Sequence, residues 1–283
     1  MSKKIDNKHT GGILIGMAKE LWSNRKLTWN LAKNDFKSKF AGSYLGIVWA
    51  FVQPIVTIVV YWFVFEKALN QGASIAKSGI SVPFVLWLIA GLVPWFYFSD
   101  AVMQGTTALQ SYSYLVKKVV FTVSTLPVVK VISSIFVHIF FVAFMLILYW
   151  CYGFAPSLYW LQIVYYSIAM IALATGIVYF TSAIMVFFKD LSQIVNIVLQ
   201  VLVWATPIMW NIDAMIVSPK VIFILKFNPM FYVVQGFRDA MINHMWFWER
   251  PNLTIYFWAV TLIMFIAGTT IFKKLSVHFA DVL

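Results

Sequence analysis

The feature that most constrains this chain is a series of apolar runs, each long enough to cross a lipid bilayer. Hydrophobic residues make up 62% of its 283 residues and charged residues only 11%, too little polar surface to cover a soluble globule. A helix needs about 20 apolar residues to cross the hydrocarbon core, and it satisfies its own backbone hydrogen bonds there. Six such runs predict an all-α membrane protein with six transmembrane helices. We assign them to residues 44–65, 82–103, 131–151, 161–187, 194–210 and 253–272.

The rest of the chain divides simply around this membrane region. We expect a tail and an amphipathic interface helix in residues 1–43, one transmembrane domain in 44–272 and a short tail in 273–283. The first 40 residues lack the apolar core and small-residue cleavage site of a signal peptide, so no cleaved leader is expected. Cys151 is the only cysteine, which excludes an internal disulfide and a cysteine-based metal site.

The distribution of positive charge predicts the orientation of the chain. Most of the 21 Lys and Arg residues precede the first run, follow the last, or lie between runs two and three and between runs four and five. Loops rich in these residues stay in the cytoplasm. Both termini are therefore expected to be cytoplasmic. The net charge of +11 indicates attraction to anionic membrane lipid and not to nucleic acid.

A surface helix is expected between residues 19 and 40. Aromatic residues and lysines alternate there, a pattern typical of a helix in the headgroup region. The aromatic residues are Trp22, Trp29 and Phe36 at seven-residue spacing, with Phe40 four residues further on, and the lysines are Lys19, Lys26, Lys33 and Lys37. This helix either borders an opening between the spans or simply anchors the chain.

The polar segment 110–131, between the second and third spans, forms a second surface element. It is too polar for hydrocarbon, where one lysine at mid-depth costs about 2.5 to 3.5 kcal/mol. An apolar edge at helical spacing predicts a short helix along the membrane surface that ends near Pro127. That edge consists of Leu115, Val116, Val119 and Val120. Another protein could push on such a helix; the alternative is an ordinary loop whose lysines only fix the topology.

Two spans carry polar and aromatic side chains along one face. The first stripe is Trp49, Gln53, Thr57 and Tyr61, and the second is Gln193, Asn196, Gln200 and Trp204. Polar residues inside a span usually face other helices or a cavity instead of lipid. In a cavity wall, the amides and hydroxyls suit sugar hydroxyls and the rings suit the apolar faces of sugars. The alternative is that the stripes only hold helices together.

The segment 206–250, between the fifth and sixth spans, is apolar but repeatedly interrupted. Pro207, Pro219 and Pro229 break it, and charged residues are scattered through it. No stretch is long enough to cross the membrane, yet the segment is too apolar for a solvated loop. We expect a re-entrant pair of short helices that dip into the outer half of the membrane, buried in protein or lining a cavity.

The ionisable residues of the spans do not indicate catalysis. Asp100 is expected to be a solvated or paired carboxylate at a helix end, and His138 to be hydrogen-bonded between helices. Together with Glu66 they fall at scattered depths, which argues against a membrane-embedded glycosyltransferase. A secondary transporter should show matching helix breaks in two halves, whereas the breaks here are confined to 206–250.

Several segments give the chain a resemblance to a known family. They are the basic helix leading into LGIVWAFVQP (45–54), GLVPWFYFSDAV (91–102), SYLVKKVVF before LPV (113–128), NPMFYVVQGFRD (228–239) and FKKLSVHFADVL (272–283). The ordered set resembles the membrane subunit of ABC-2 type exporters for lipid-linked polysaccharides, which serve O-antigen, capsule and teichoic acid export. One departure is that the segment before Leu126 and Pro127 lacks the charged residues expected there.

The resemblance implies a function and a set of partners. It implies a homodimer in the bacterial inner membrane, joined by two copies of a cytoplasmic ABC ATPase, that exports a lipid-linked polysaccharide, in the first place O-antigen. The chain carries no P-loop, so ATP and Mg²⁺ are expected in the ATPase, and this chain itself is expected to bind no cofactor or metal and to be no enzyme. The alternatives are a capsule or teichoic acid permease, or an efflux permease for a small molecule or lipid.

The resemblance also implies roles for particular residues. The segment 113–126 corresponds to the coupling helix that sits on the ATPase, and 206–250 to the outer gate. Contacts to the ATPase are expected from Tyr114, Leu115, Lys117, Lys118 and Phe121, and the outer gate is expected to include Pro207, Asn228, Pro229, Arg238 and Asp239. A channel along the dimer axis, lined by the two stripes, would carry the polymer.

Overall fold

The computed structural model of the chain describes residues 10–39, 41–69, 74–75, 81–117, 122–212 and 218–283. These residues are almost entirely helical. In chain order the α-helices are α1 (Thr10–Ser23), α2 (Arg25–Ser38), α3 (Trp49–Trp62), α4 (Phe84–Thr106), α5 (Ala108–Ser111), α6 (Ser113–Val116), α7 (Thr125–Cys151), α8 (Gln162–Met185), α9 (Leu191–Ala205), α10 (Pro219–Lys226), α11 (Pro229–Arg238), α12 (Pro251–Leu275) and α13 (Phe279–Val282). Two short antiparallel strands, β1 (Ser74–Ile75) and β2 (Ser81–Val82), precede α4.

Five helical segments are long and apolar enough to cross a membrane. They are Gly46–Ala68, Phe84–Thr106, Thr125–Cys151, Leu158–Met185 and Pro251–Val282, and each overlaps a predicted span. Helix α9 is also apolar, but it has only 15 residues and falls short of this length. The chain is therefore a multi-pass, mainly helical membrane protein.

The third span begins earlier than the sequence predicts. The sequence predicts a surface helix that ends near Pro127. In the structure, Pro127 instead lies in the first turn of α7, which begins at Thr125. The first residues of a helix have no intrahelical partner for their N–H groups, so a proline there removes no hydrogen bond. Before it, α6 is only four residues long.

Helix α9 ends where a proline follows. The predicted span reaches residue 210, but the helix stops at Ala205, and Thr206 has the extended angles φ −88° and ψ 128°. The ring of Pro207 disfavours helical angles at the residue before it. The chain then runs on as a non-helical segment through residue 211.

Helix α4 is the most buried of these segments and forms the centre of the domain. It packs against α7 and α8, and its N-terminal half meets α11 at Trp87 and Gly91, which both contact Arg238. Most of its side chains, from Leu86 to Val102, are buried on all sides. A polar or bulky change in α4 would therefore affect several helices at once.

Helices α8 and α12 cross at two glycines. A Cβ atom at Gly176 would lie 2.9 Å from the backbone nitrogen of Phe265, and one at Gly268 would meet the carbonyl oxygen of Gly176. Backbones can approach this closely only where side chains are absent. The crossing therefore depends on both glycines.

The expected surface helix consists of α1 and α2, which join at Asn24. The side of α2 that faces the protein carries Thr28, Ala32 and Asp35, and it packs on α7. Phe136 of α7 contacts two of the predicted aromatic residues, Trp29 and Phe36, with ring centroids 5.4 Å and 5.3 Å away. Of the other two, Trp22 is 72% exposed and Phe40 lies outside the described residues.

The segment after α9 contains two short helices, α10 and α11, and they differ in burial. Helix α10 has no buried residue, whereas nearly all of α11 is buried. Asn228 caps α11 by accepting a hydrogen bond from the Met230 N–H at 3.0 Å, and Pro229 occupies the first helical position. A π-helical turn, Asp239–Asn243, extends α11 to His244, whose positive φ ends it.

Candidate functional site

A cavity of about 460 Å³ lies among α3, α4, α7 and α9. All four residues of the first predicted stripe line it: Trp49, Gln53, Thr57 and Tyr61. The opposite walls come mainly from α4 and α7, with rings such as Trp95 and Phe96. The cavity therefore combines amide, hydroxyl and aromatic groups within the membrane domain.

The second predicted stripe contributes only in part. Asn196 and Gln200 line the cavity together with Leu199 and Val203, at helical spacing. Gln193 and Trp204 are exposed and are not part of its wall. They stand at the two ends of the stripe, on either side of the residues of α9 that line the cavity.

A charged cluster forms part of the cavity wall. Lys39, just after α2, lies 2.8 Å from Asp100 of α4. Ser134 of α7 donates to the other oxygen of this carboxylate at 2.6 Å, and Gln104 lies at 3.5 Å. Asp100 is thus paired six residues before the end of α4, and through it the residue after α2 is linked to α4 and α7.

Asp100 and His138 both line this cavity, because α4 packs on α7. Glu66 is separate, and its side chain accepts from the Trp62 indole at 2.8 Å. His138 Nε2 lies 3.0 Å from the Ser167 hydroxyl, a hydrogen bond between helices of the expected kind.

Of the residues assigned to ATPase contact, three lie in the described part of the chain. Tyr114 is 59% exposed and Lys117 is exposed, whereas Leu115 packs against a small apolar cluster near Val116. Lys118 and Phe121 lie outside the described residues. The exposed side chains of α6 could therefore meet a partner, and Leu115 anchors the turn to the domain.

A buried ion pair beside this segment was not predicted. Lys130 Nζ of α7 lies 2.6 Å from Asp35 Oδ1 of α2, and Tyr112 donates to the same oxygen at 2.5 Å. Burial, together with the hydrogen bond to Asp35, raises the pKa of the Tyr112 phenol. The signal in the sequence was a single carboxylate on the otherwise uncharged face of Thr28 and Ala32, but its partner is 95 residues away.

Further contacts fasten the surface helices to the same region. Ser124 donates to Glu20 at 2.9 Å, and Asn24 to Thr122 at 3.3 Å. These bonds join α1 and the start of α2 to the residues just before α7. Helices α1 and α2 are thus held just before α7 as well as at Tyr112.

The five residues assigned to the outer gate lie around the end of α9. The Arg238 guanidinium donates to the carbonyl oxygens of Pro207 and Ile208 and stacks 3.7 Å from the centre of the Trp87 ring. Asn228 donates to Thr206 at 2.7 Å. Arg238 therefore fixes the non-helical segment after α9 against α4 and α11.

The other two residues of the predicted gate lie at the two ends of α11. Pro229 is its first residue, and Asp239 directly follows its last residue. Asp239 binds Arg250 through two hydrogen bonds, of 2.5 Å and 3.0 Å, and accepts from Asn243 at 2.7 Å. Arg250 directly precedes α12, whose first residue is Pro251. The pair therefore ties the end of α11 to the start of the last span.

Comparison with known proteins identifies the family. Residues 26–242 match the model of the ABC-2 type transporter family. An O-antigen export system permease protein RfbA of Klebsiella pneumoniae is 25% identical over 255 residues, which cover 89% of this chain and 93% of that protein. An O-antigen export system permease protein RfbA of Myxococcus xanthus is 26% identical over 270 residues, or 95% and 99% of the two chains. This multi-pass membrane protein therefore belongs to the ABC-2 type transporter family.

Proposed function

We propose that this chain is the channel-forming membrane subunit of an ATP-driven exporter that moves a lipid-linked polysaccharide out of the cytoplasm. The polysaccharide proposed in the first place is O-antigen. The observation that carries the proposal is a cavity lined by amides and aromatic rings, in a chain aligned over nearly its whole length with O-antigen export permeases. Aromatic rings can pack on the apolar faces of sugars, and amides can bind their hydroxyls. Such a lining accepts a repeating polymer without demanding one linkage.

The proposed topology has six spans, with both termini in the cytoplasm of a bacterial cell and the spans in the inner membrane. Helix α9 supplies the fifth crossing. Its 15 residues extend about 22 Å at 1.5 Å per residue, less than the roughly 30 Å hydrocarbon core. The non-helical segment from Thr206 would cover the remaining distance, and α10 and α11 would form the re-entrant pair on the outer side.

The energy would come from a separate cytoplasmic ATPase, which binds ATP and Mg²⁺. The proposed contact is the segment 113–126, in which Tyr114 and Lys117 are exposed; Lys118 and Phe121 belong to the same proposal. Two copies of this chain and two ATPase subunits would form the exporter, with the channel between the two copies.

The contacts near this segment offer a route for force. A displacement of α6 would act on Tyr112, which shares a carboxylate with Lys130 of α7. That carboxylate belongs to Asp35 of α2, and the residue after α2, Lys39, binds Asp100 at the cavity. Movement of the coupling segment would therefore reach both the surface helix and the cytoplasmic end of the cavity.

The outer gate would be the group of residues around the end of α9. Arg238 holds the segment at Pro207, Asn228 holds Thr206, and Asp239 holds Arg250 at the start of α12. These bonds connect α9, α11 and α12. A shift of α9 relative to α12 would have to change them.

Export in cells tests the proposal. A strain that lacks this chain should lose surface polysaccharide and accumulate the lipid-linked polymer inside the cell, and the wild-type gene should restore export. Normal export without the chain would contradict the proposal. Chemical analysis of the accumulated polymer would separate O-antigen from capsule and from teichoic acid.

A further inference from the structure

A second pocket, of about 280 Å³, lies beside the end of α9 between α10 and α11. We propose that it binds a phosphate group, either from a soluble phosphate or from the headgroup of a lipid. Its lining is rich in cations and hydrogen-bond donors: Trp87, Asn211, Lys226, Gln235, Arg238 and Arg250. No carboxylate lines it among the described residues.

The first argument is the charge of Arg238. Arg238 is only 1% exposed, and among the described residues its guanidinium donates to two backbone carbonyl oxygens and to no carboxylate. The oxygens of the neighbouring Asp239 are engaged by Arg250, Asn243 and Gln235. A buried guanidinium that forms no direct ion pair is costly, so an anion next to Arg238 would be strongly favoured.

The second argument is a pair of buried donors without partners. Arg238 Nε and Trp87 Nε1 are both buried, and neither has a hydrogen-bond partner. Both side chains line the pocket, and the guanidinium stacks on the indole. Buried N–H groups normally find an acceptor, because each one left unpaired costs about 1 to 3 kcal/mol. A phosphate has enough oxygens to accept from both.

Lys226 supplies the third donor. It is the last residue of α10 and is exposed, so its ammonium group can turn toward the pocket that it lines. Arg250 also lines the pocket, with its charge balanced by Asp239. A buried guanidinium and a movable ammonium together suit a phosphate, which accepts charge-assisted hydrogen bonds from several directions.

The surroundings allow a lipid as the source of the phosphate. Lys226 and Arg250 also line an adjoining, largely apolar groove of about 420 Å³, together with Phe223, Phe227 and Tyr256. Glu249, in the same groove, is held by the Trp246 N–H at 2.8 Å. An acyl or prenyl chain could lie along these rings while its phosphate reaches Lys226 and Arg238.

The test measures binding by the full chain and does not depend on the proposed function. The protein is purified in a maltoside detergent, which carries no phosphate, and is titrated calorimetrically with inorganic pyrophosphate. In a second arm, phosphatidylglycerol is added and the lipid that remains bound is counted by native mass spectrometry. We expect saturable binding in at least one arm. If pyrophosphate binds, a soluble phosphate is a sufficient ligand. If only phosphatidylglycerol is retained, the ligand is the phosphate of a lipid headgroup.

Variants separate this site from general attraction to a basic protein. Lys226→Gln should weaken binding about tenfold, the loss expected for one charge-assisted hydrogen bond. Trp87→Phe keeps the ring under Arg238 but removes the N–H, and it should also weaken binding while circular dichroism stays unchanged. Lys220→Gln, at the other end of α10 and outside the pocket, is the matched control and should bind like the wild type. The proposal is overturned if neither ligand binds, or if Lys220→Gln weakens binding as much as Lys226→Gln.

Discussion

Asp35 of α2 and Lys130 of α7 form an ion pair 2.6 Å long whose side chains are only 8% and 11% exposed. Tyr112 donates to the same carboxylate oxygen. The pair therefore joins three parts of the chain: α2, the first turns of α7, and the residues just before α6. A contact in this place can hold the fold together and can also transmit movement, and substitutions separate the two roles.

Asp35→Asn should destabilise the protein strongly, because it leaves Lys130 buried without a countercharge. Breaking one partner of a buried ion pair costs about 3 to 5 kcal/mol. A clearly lower midpoint of thermal unfolding is expected for the purified protein. An unchanged midpoint would mean that the pair does not support the fold.

The double variant Asp35→Leu with Lys130→Met tests transmission. Replacing both members of a buried pair by apolar residues is often neutral for stability, so the midpoint should recover while coupling to the ATPase stays impaired. The measurement is stimulation of ATP hydrolysis by the reconstituted transporter. Wild-type stimulation in a stably folded double variant would remove Asp35 from the proposed route of force.

The Tyr112 hydrogen bond should not depend on pH in the neutral range. Burial and Asp35 raise the pKa of this phenol above its ordinary value of 10.0, so its stabilising contribution is complete below that value and is lost only as the pH rises through the raised pKa. The stability difference between wild type and Tyr112→Phe should therefore be constant from about pH 6 to about pH 9. A difference that shrinks across this range would contradict the assignment.

Residues on the cavity wall should affect export more than residues of the same type outside it. Trp49→Ala and Gln200→Ala should each lower polysaccharide export several-fold without preventing dimer assembly, because they remove a ring and an amide from the cavity. Trp204→Ala and Gln193→Ala are the matched controls, since neither residue lines it. Equal losses in both sets would show that the cavity wall has no special role.

Gly268→Ala should loosen the crossing of α8 and α12. The new methyl group would meet the carbonyl oxygen of Gly176, and overpacking of this kind typically costs about 1 to 3 kcal/mol. Gly16→Ala in α1 is the control, because the nearest atom to its Cβ is Lys273 Nζ at 3.9 Å. A lower unfolding midpoint is expected for the first variant only.

Most of the fold could be predicted from the apolar runs of the sequence. Length and hydropathy alone placed α4, α8 and α12, since a membrane span needs little else to be recognised. The start of α7 was missed because Pro127 suggests a helix end, although proline is tolerated in a first turn. The break at Pro207 was predicted, but not that the helix would end before it at Ala205.

The candidate site was predictable where it depends on one helix and not where it depends on two. The spacing of Trp49, Gln53, Thr57 and Tyr61 marks one face of α3, and that face lines the cavity. Helical spacing does not say how wide a cavity wall is, so Gln193 and Trp204 were included although they lie outside it. The Asp35 and Lys130 pair depends on tertiary packing, which spacing within one helix cannot reveal.

The most direct test of the account is transport in a defined system. Proteoliposomes containing this chain and its ATPase receive lipid-linked polysaccharide on the side of the ATPase, and a lectin on the opposite side detects polymer that has crossed. The account predicts lectin binding only when ATP and Mg²⁺ are present, and its loss when Lys117 is changed to Glu in a stably assembled complex. Hydrolysis of ATP with no polymer reaching the lectin, or crossing that needs no ATP, would contradict it.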